Sequence, residues 1–242
     1  MYKEAIKKYL SLKGYDSINL KAVLFDMDGV LFKSMPSHAK SWHKVMKEFG
    51  FTLSEEEAYM HEGRTGASTI NIVSQRERGH DATQEEIEAI YKAKTNAFNS
   101  FPKAERMEGA LEVLKEIKSQ GLIPMVVTGS GQKSLLERLN NNFPDIFKQE
   151  LMVTAYDVKH GKPHPEPYLM ALEKAGLKPN EAIVIENAPL GVQAGVAAGI
   201  FTIAVNTGPI DDSVLLNEGA NILFPSMTAF AQAWKELSEE FE

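Results

Sequence analysis

The stretch KAVLFDMDGV, residues 21–30, decides the fold class of this chain. Its continuous apolar run closes on Asp26, which is typical of a strand that is buried on both faces of a parallel sheet. Asp26 and Asp28 follow the run with one residue between them, and Gly29 supplies the freedom to turn. One carboxylate can attack phosphorus while the other carries a proton. Two polar residues that cap a turn are the simpler alternative, and this stretch alone leaves both open.

Apolar runs of the same kind recur along the chain and alternate with stretches of helical spacing. This alternation predicts an α/β fold, here a Rossmann-like, doubly wound parallel sheet with right-handed crossovers. The further predicted strands lie at residues 122–128, 182–186, 201–205 and, with a weaker pattern, 221–224. The predicted helices of the core lie at residues 3–13, 108–120, 132–140, 165–176, 189–198 and 226–240.

One section interrupts the alternation, because it holds amphipathic helical patterns and no convincing strand. We predict that this section, residues 36–101, is an all-helical cap domain. The catalytic core would then consist of residues 1–35 and 102–242. Pro36 and Pro102 are suitable neighbours of the two hinges, since proline restricts its own backbone and that of the preceding residue.

Small and polar residues follow two further predicted strands, at the edge where doubly wound sheets bind ligands. Thr128, Gly129 and Ser130 offer a hydroxyl and bare backbone N–H groups, which suit a phosphate at the start of a helix. Glu186 and Asn187 offer carboxylate and amide oxygens, which suit Mg²⁺. An ordinary helix cap is the alternative at both places.

A fourth motif is the proline-rich stretch GKPHPEP, residues 161–167, which contains Lys162. A lysine with little conformational freedom suits a fixed positive charge beside a phosphoryl group. Alternatively, Pro165 and Pro167 simply open the following helix. Each motif is modest alone, but four in one chain together indicate phosphoryl transfer.

The composition limits the partners of the protein. A net charge of −7 argues against nucleic acid, whose phosphates require clustered Lys and Arg. No stretch approaches the ~20 apolar residues of a membrane span. The chain has no cysteine, which excludes a disulfide framework and a thiolate metal site. We therefore expect a cytoplasmic monomer whose partner is a small phosphorylated substrate.

In its four motifs the sequence resembles the haloacid dehalogenase superfamily of phosphotransferases, and its helical insertion resembles the β-phosphoglucomutase-like branch. The resemblance implies that Asp26 is a nucleophile that forms an aspartyl-phosphate, and that Asp28 is a general acid and base. It also implies that Thr128 and Lys162 hold the transferring phosphoryl group. His38, ten residues beyond Asp28, could orient that carboxylate, unless it is a surface histidine.

The same resemblance implies a Mg²⁺ cofactor. Its ligands would be Asp26, the backbone carbonyl of Asp28, and Asn187, with Glu186 as a further ligand or as a neighbour of the ligands. Many relatives have an aspartate in place of Asn187, so the metal site of this chain has one formal negative charge fewer.

The loop HEGRTG, residues 61–66, is the candidate specificity loop of the cap. Mutases of this branch have an arginine near the position of Gly66 and a lysine at the position of Gly131, and their absence here argues against an efficient mutase. An inward-pointing Glu62 would shrink the pocket, and Arg64 could bind the distal group of a small anion such as pyrophosphate. A turn with both side chains at the surface is the alternative.

These observations predict a Mg²⁺-dependent phosphohydrolase of a small phosphorylated metabolite or of inorganic pyrophosphate. A mutase of the β-phosphoglucomutase type, with the same aspartyl-phosphate, is the alternative. A non-catalytic phosphate-binding module is less favoured, because all four motifs keep chemically competent side chains.

Overall fold

Five parallel strands form one sheet in the order β2-β1-β3-β4-β5. The computed structural model describes residues 2–131 and 135–241. The sheet confirms the predicted α/β class with a parallel, doubly wound core. The strands are β1 (Ala22–Phe25), β2 (Ile123–Val126), β3 (Ala182–Glu186), β4 (Phe201–Val205) and β5 (Ile222–Phe224).

Helices surround the sheet and fill the connections between strands. They are α1 (Tyr2–Lys13), α2 (Met35–Glu48), α3 (Glu55–Met60), α4 (Gly66–Arg78), α5 (Gln84–Asn99), α6 (Ala110–Ser119), α7 (Leu135–Asn142), α8 (Glu166–Ala175), α9 (Pro189–Ala197), α10 (Asp212–Asn217) and α11 (Met227–Glu239). The helices predicted for the core agree with these bounds to within two residues, apart from the one at 132–140. There the described helix starts at Leu135, and residues 132–134 lie outside the described part.

Strand β1 is buried on both faces, as its apolar run predicts. Val23 and Phe25 belong to the large hydrophobic cluster that packs under α1, α6 and α11. Ala22 and Leu24, which alternate with them, belong to the cluster on the opposite face, under α8 and α9. Successive side chains of a strand point to opposite faces of the sheet. A four-residue strand therefore packs into both hydrophobic clusters only if all four residues are apolar.

The strand order places β1 between β2 and β3, so the crossover from β1 to β2 and the following crossover from β2 to β3 run in opposite directions across the sheet. In open α/β sheets this switch point is where ligands bind, outside the carboxyl ends of the strands. Asp26, Thr128 and Asn187 follow β1, β2 and β3 at this edge. The fold therefore brings three of the four sequence motifs to one place.

Four helices, α2 to α5, lie between β1 and the next part of the core, and no strand occurs among them. They enclose a hydrophobic cluster of their own, which includes Val45, Phe51, Val73 and Ile90. A separate core is what defines a domain, so this cluster supports the predicted cap. The bounds 36–101 remain our proposal for that domain.

None of the helices in the described part of the chain has the length and apolar content that a membrane crossing requires. The monomeric state and the cytoplasmic location stay predictions.

Helix α9 approaches the end of β3 closely because of a glycine. A Cβ atom added at Gly191 would lie 1.8 Å from Oε1 of Glu186, far inside van der Waals contact. Glu186 is fully buried and its carboxylate is held by several hydrogen bonds, so it has no free space to move into. Gly191 thus lets the helix start directly above the carboxylate.

We predict that Gly191→Ala lowers the free energy of unfolding by about 1–3 kcal/mol through overpacking. Helix propensity alone predicts the opposite sign, a gain of about 1 kcal/mol. Urea denaturation of Gly191→Ala, Glu186→Ala and the double variant would measure the coupling between the two sites. Full additivity of the two substitutions would contradict the steric explanation.

Candidate active site

The centre of the site is the ammonium group of Lys162, which is 2% exposed. Its Nζ donates to Asp26 Oδ1 at 2.5 Å, to Glu186 Oε1 at 2.6 Å and to the carbonyl oxygen of Val127 at 3.1 Å. Burial alone would lower the pKa of Lys162, but Asp26 and Glu186 outweigh it and keep this pKa above its ordinary value. The side chain is therefore a fixed cation beside Asp26.

Glu186 is held from several directions. Its Oε1 also accepts a hydrogen bond from the Tyr168 hydroxyl at 2.8 Å, and its Oε2 accepts from the backbone N–H groups of Asn187 and Ala188 at 3.0 and 3.2 Å. Both carboxylate oxygens thus have donors, and Glu186 supports Lys162 as its second counter-ion. Of the two roles that the sequence left open for Glu186, this arrangement favours that of a neighbour of the metal ligands.

Asp28 has its own supporting residues. The Ser34 hydroxyl donates to Asp28 Oδ1 at 2.5 Å, and Nε2 of His38 lies 3.4 Å from the same oxygen. Burial would raise the pKa of Asp28, but His38 and Ser34 outweigh it and keep this pKa well below its ordinary value. The structure thus places His38 where it can orient Asp28, and does not leave it on the surface.

His38 is in turn held by a lysine of the cap. The Lys94 Nζ lies 2.7 Å from Nδ1 of His38, and the imidazole stacks on the Phe98 ring with centroids 4.1 Å apart. A protonated lysine can only donate, so Nδ1 accepts and the imidazole proton is on Nε2, the atom that faces Asp28. Burial, followed by the charge of Lys94, lowers the pKa of His38, while Asp28 opposes this shift.

Two buried acceptor oxygens of the site have no hydrogen-bond donor in the described part of the chain: Oδ2 of Asp26 and Oδ1 of Asn187. A buried oxygen without a hydrogen-bond donor destabilises the folded protein unless another group, such as a cation, binds to it. A hard divalent cation with oxygen ligands fits this pair, and both residues follow neighbouring strands. Burial raises the pKa of Asp26 and the charges of Glu186 and Asp28 add to it, although Lys162 opposes them. A cation beside Asp26 would relieve this excess of negative charge.

The loop of the cap reaches the core through Glu62. This side chain is 8% exposed, and both of its carboxylate oxygens accept hydrogen bonds from Asn187 Nδ2 at 3.1 Å. Burial raises the pKa of Glu62 well above its ordinary value, and the charge of Asp26 adds to this. Glu62 therefore faces the site, which the sequence left undecided.

Glycines allow the cap loop to lie on the core. Gly63 has a φ of 86°, and a Cβ atom there would lie 2.9 Å from Cδ of Lys162. A Cβ atom at Gly129 would lie 2.9 Å from the carbonyl oxygen of Gly63. The cap loop at Gly63 thus meets Gly129 and Lys162 of the core at one contact surface, which we call the seam.

A cavity of about 80 Å³ lies between cap and core beside this seam. Thr128, Gly129 and Ser130 line it, and the backbone N–H of Ser130 donates to the Thr128 hydroxyl at 3.0 Å. Arg64 also lines it, and its Nε is buried without an acceptor in the described part of the chain. All the predicted site residues therefore lie in or directly around one cavity.

Sequence reasoning missed several residues of this site. Lys94 is 6% exposed and lies one turn after the buried Ile90, so a lysine in the apolar stripe of α5 was the available signal. Tyr91 lines the cavity. Ser34 and Tyr168 support the two carboxylates, but nothing in their local sequence marks them.

Comparison with known proteins agrees with this geometry. Residues 23–205 match the family described as haloacid dehalogenase-like hydrolase. The chain is 32% identical to hexitol phosphatase A of Escherichia coli, over 82% of this chain and 88% of that protein. It is 30% identical to a phosphorylated carbohydrates phosphatase of Thermotoga maritima, over 83% of this chain and 92% of that protein. A solved structure from Bacteroides vulgatus, provisionally named β-phosphoglucomutase, is 75% identical with a TM-score of 0.98, covering 100% of this chain and 98% of that chain.

We predict that Lys94→Met raises the free energy of unfolding at pH 7 by about 1–3 kcal/mol. The substitution replaces a buried cation, which forms no ion pair with a carboxylate of the described residues, by an apolar side chain of similar length. Burial lowers the pKa of Lys94 to about 8, so below pH 8 the protein bears the full free-energy cost of burying this charge. The gain should therefore fade as the pH rises from 8 towards the unfolded value of 10.5. Urea denaturation across this range would measure it.

Lys92→Met is the matched control, since Lys92 is exposed on the same helix. It should change stability by less than about 0.5 kcal/mol. A Lys94→Met protein that is less stable than the wild type at pH 7 would show that Lys94 contributes more through its contacts than its burial costs.

Proposed function

Because the chain belongs to the haloacid dehalogenase-like hydrolases and is a phosphatase or phosphotransferase of that family, we propose that it hydrolyses a small phosphorylated compound through Asp26. The observation that carries this proposal is the state of the Asp26 carboxylate. One of its oxygens is held by Lys162, and the other is buried beside the cavity with no donor among the described residues. A carboxylate fixed at one oxygen and free at the other is prepared for attack on phosphorus.

The proposed reaction has two steps. In the first, the Asp26 carboxylate attacks phosphorus through the oxygen that does not hold the cation, and the bond from phosphorus to the leaving oxygen breaks. Asp28 supplies the proton that this oxygen requires; it takes up this proton when the substrate binds, because the negative charge of the substrate raises the pKa of Asp28. In the second, Asp28 accepts a proton from water as the water oxygen attacks phosphorus and the bond to Asp26 breaks. Orthophosphate leaves, and both carboxyl groups return to their initial state.

Other residues of the chain position these groups. Lys162 and the Thr128 hydroxyl would bind oxygens of the transferring phosphoryl group, and His38 would hold Asp28 in place. Asp26, Asn187 and the backbone carbonyl of Asp28 would hold Mg²⁺, which when bound neutralises charge on the phosphoryl oxygens.

The cavity supports a compact substrate, with inorganic pyrophosphate as our first candidate. Its volume of about 80 Å³ is well below the ~300–1,000 Å³ of pockets for drug-sized ligands. The ring of Tyr91 fills the space beside Gly66, and the ring of Tyr156 lies against Gly131. Aromatic rings therefore occupy the places where mutases of this branch present cations to a second phosphate. Arg64, which lines the cavity, is our candidate cation for a distal anionic group.

Sugar phosphates are the second candidate class. Two relatives that cover most of this chain are named as phosphatases of a hexitol or of phosphorylated carbohydrates. The name of the Bacteroides vulgatus protein favours a mutase, which would pass the phosphoryl group from Asp26 to another hydroxyl of the sugar. Hydrolase and mutase share Asp26 and Asp28, so only the products distinguish them.

We predict that Asp26→Asn lowers turnover by at least about a thousandfold, because the amide is a poor nucleophile. Phosphate release would be measured with and without Mg²⁺ on pyrophosphate, β-glucose 1-phosphate and small phosphate esters, with coupled detection of glucose 6-phosphate. The exposed Asp16→Asn is the control, and circular dichroism would verify both folds. Residual activity near that of the wild type would contradict the assignment, and glucose 6-phosphate without free phosphate would establish a mutase.

We further predict that Glu62→Ala lowers kcat/KM for pyrophosphate at least about tenfold more than for small phosphate esters, since removing the carboxylate enlarges the pocket and frees Asn187. Steady-state kinetics on both substrates would measure the ratio. Glu55→Ala, on the exposed side of α3, should leave the ratio unchanged. An unchanged ratio in Glu62→Ala would remove Glu62 from the account of specificity.

A further inference from the structure

The loop that carries Lys162 also carries a cluster of metal-ligating side chains on its outer side. We call residues 159–166 the histidine loop. Ligand atoms of His160, His164 and Glu166 all lie within 4.8 Å of one another. Nδ1 of His160 is 2.8 Å from Oε2 of Glu166, and Nδ1 of His164 is 3.8 Å from the same oxygen. The three atoms therefore converge on one point at the surface.

The cluster is held in this arrangement by the backbone. Glu166 is the first residue of α8, and its carboxylate accepts hydrogen bonds from the N–H groups of Lys159 at 2.7 Å and His160 at 3.0 Å. Gly161 packs against Thr65 of the cap, where a Cβ atom would lie 2.9 Å from the threonine methyl group. A ligand set that is already ordered loses less conformational entropy on binding.

The donor set selects the kind of ion. Two imidazole nitrogens and one carboxylate suit Zn²⁺, Ni²⁺ or Cu²⁺, whereas Mg²⁺ prefers oxygen ligands alone. Bonds of 2.0–2.2 Å in a tetrahedral site place ligand atoms about 3.4 Å apart. The separations of 2.8 and 3.8 Å lie on either side of this value, so small side-chain rotations suffice.

One existing contact limits the affinity. Nδ1 of His164 accepts a hydrogen bond from the backbone N–H of Glu166 at 3.1 Å, and an ion at Nδ1 would replace it. The side chains of both histidines are also more than half exposed. The site therefore suits reversible binding of an ion from solution better than a permanent structural metal.

We propose that His160, His164 and Glu166 bind one Zn²⁺, or a similar divalent transition-metal ion, at a site separate from the catalytic carboxylates. Lys162 lies two residues from each histidine, so a bound ion would fasten the loop that positions this lysine. The proposal is independent of which phosphorylated compound the enzyme hydrolyses.

The test is isothermal titration of the full-length protein with Zn²⁺ in saturating Mg²⁺. We expect one ion per chain with a micromolar Kd, and a loss of affinity of at least about tenfold in His160→Ala and in His164→Ala. His80→Ala is the control, because His80 is an exposed histidine of the cap. It should bind Zn²⁺ as the wild type does.

Histidine side-chain NMR would locate the ion. The chain has six histidines, and Zn²⁺ should shift the ring signals of His160 and His164 but not that of His80. Unchanged binding in the His160→Ala, His164→Ala double variant would place the ion elsewhere, including among the catalytic carboxylates, and would overturn the proposal. Absence of saturable binding below about 100 μM would also overturn it.

Discussion

A buried ammonium group between two carboxylates is the contact on which the rest of the site depends. A cation without water must be paired, and removing one partner of such a pair costs about 3–5 kcal/mol. Lys162 meets this requirement only if the end of β1, the end of β3 and the histidine loop come together, since they supply Asp26, Glu186 and the lysine itself. The close packing of α9 at Gly191 and the hydrogen bond from the Tyr168 hydroxyl then hold the Glu186 carboxylate beside Lys162.

The charges around this pair explain why an anion could bind to an acidic protein. Asp26, Glu62 and Glu186 are buried close together, and Lys162 is the cation in direct contact with two of them. This surplus of carboxylates raises the pKa of Asp26 and of Glu62, after the larger effect of burial itself. A phosphate would be repelled by such a cavity, which supports our proposal of a divalent cation among the same carboxylates.

The sequence alone predicts the structural features that depend on local residue patterns. The apolar runs predict the strands because each strand is buried on both faces, and the motif residues are found together because parallel strands end at one edge of the sheet. The sequence alone does not predict side-chain contacts between residues that lie far apart along the chain. Lys94 contacts His38 across 56 residues, and Glu62 contacts Asn187 across 125, so no local spacing encodes either contact. The six-residue α10 was missed because fewer than two turns do not establish a helical period in the sequence.

The seam makes substrate selection and catalysis parts of one structure. The backbone of Gly63 lies against the stem of Lys162, and the Glu62 carboxylate beside it reaches Asn187. Any larger residue at position 63 would press on the lysine that holds Asp26, while a change of Glu62 would free the amide proposed to hold Mg²⁺. A cap loop with these contacts cannot be exchanged for that of a relative without altering the catalytic groups. Specificity in this chain would therefore change through residues such as Arg64 and Tyr91, which line the cavity and whose side chains make no hydrogen bond to Lys162 or Asn187 in the described part of the chain.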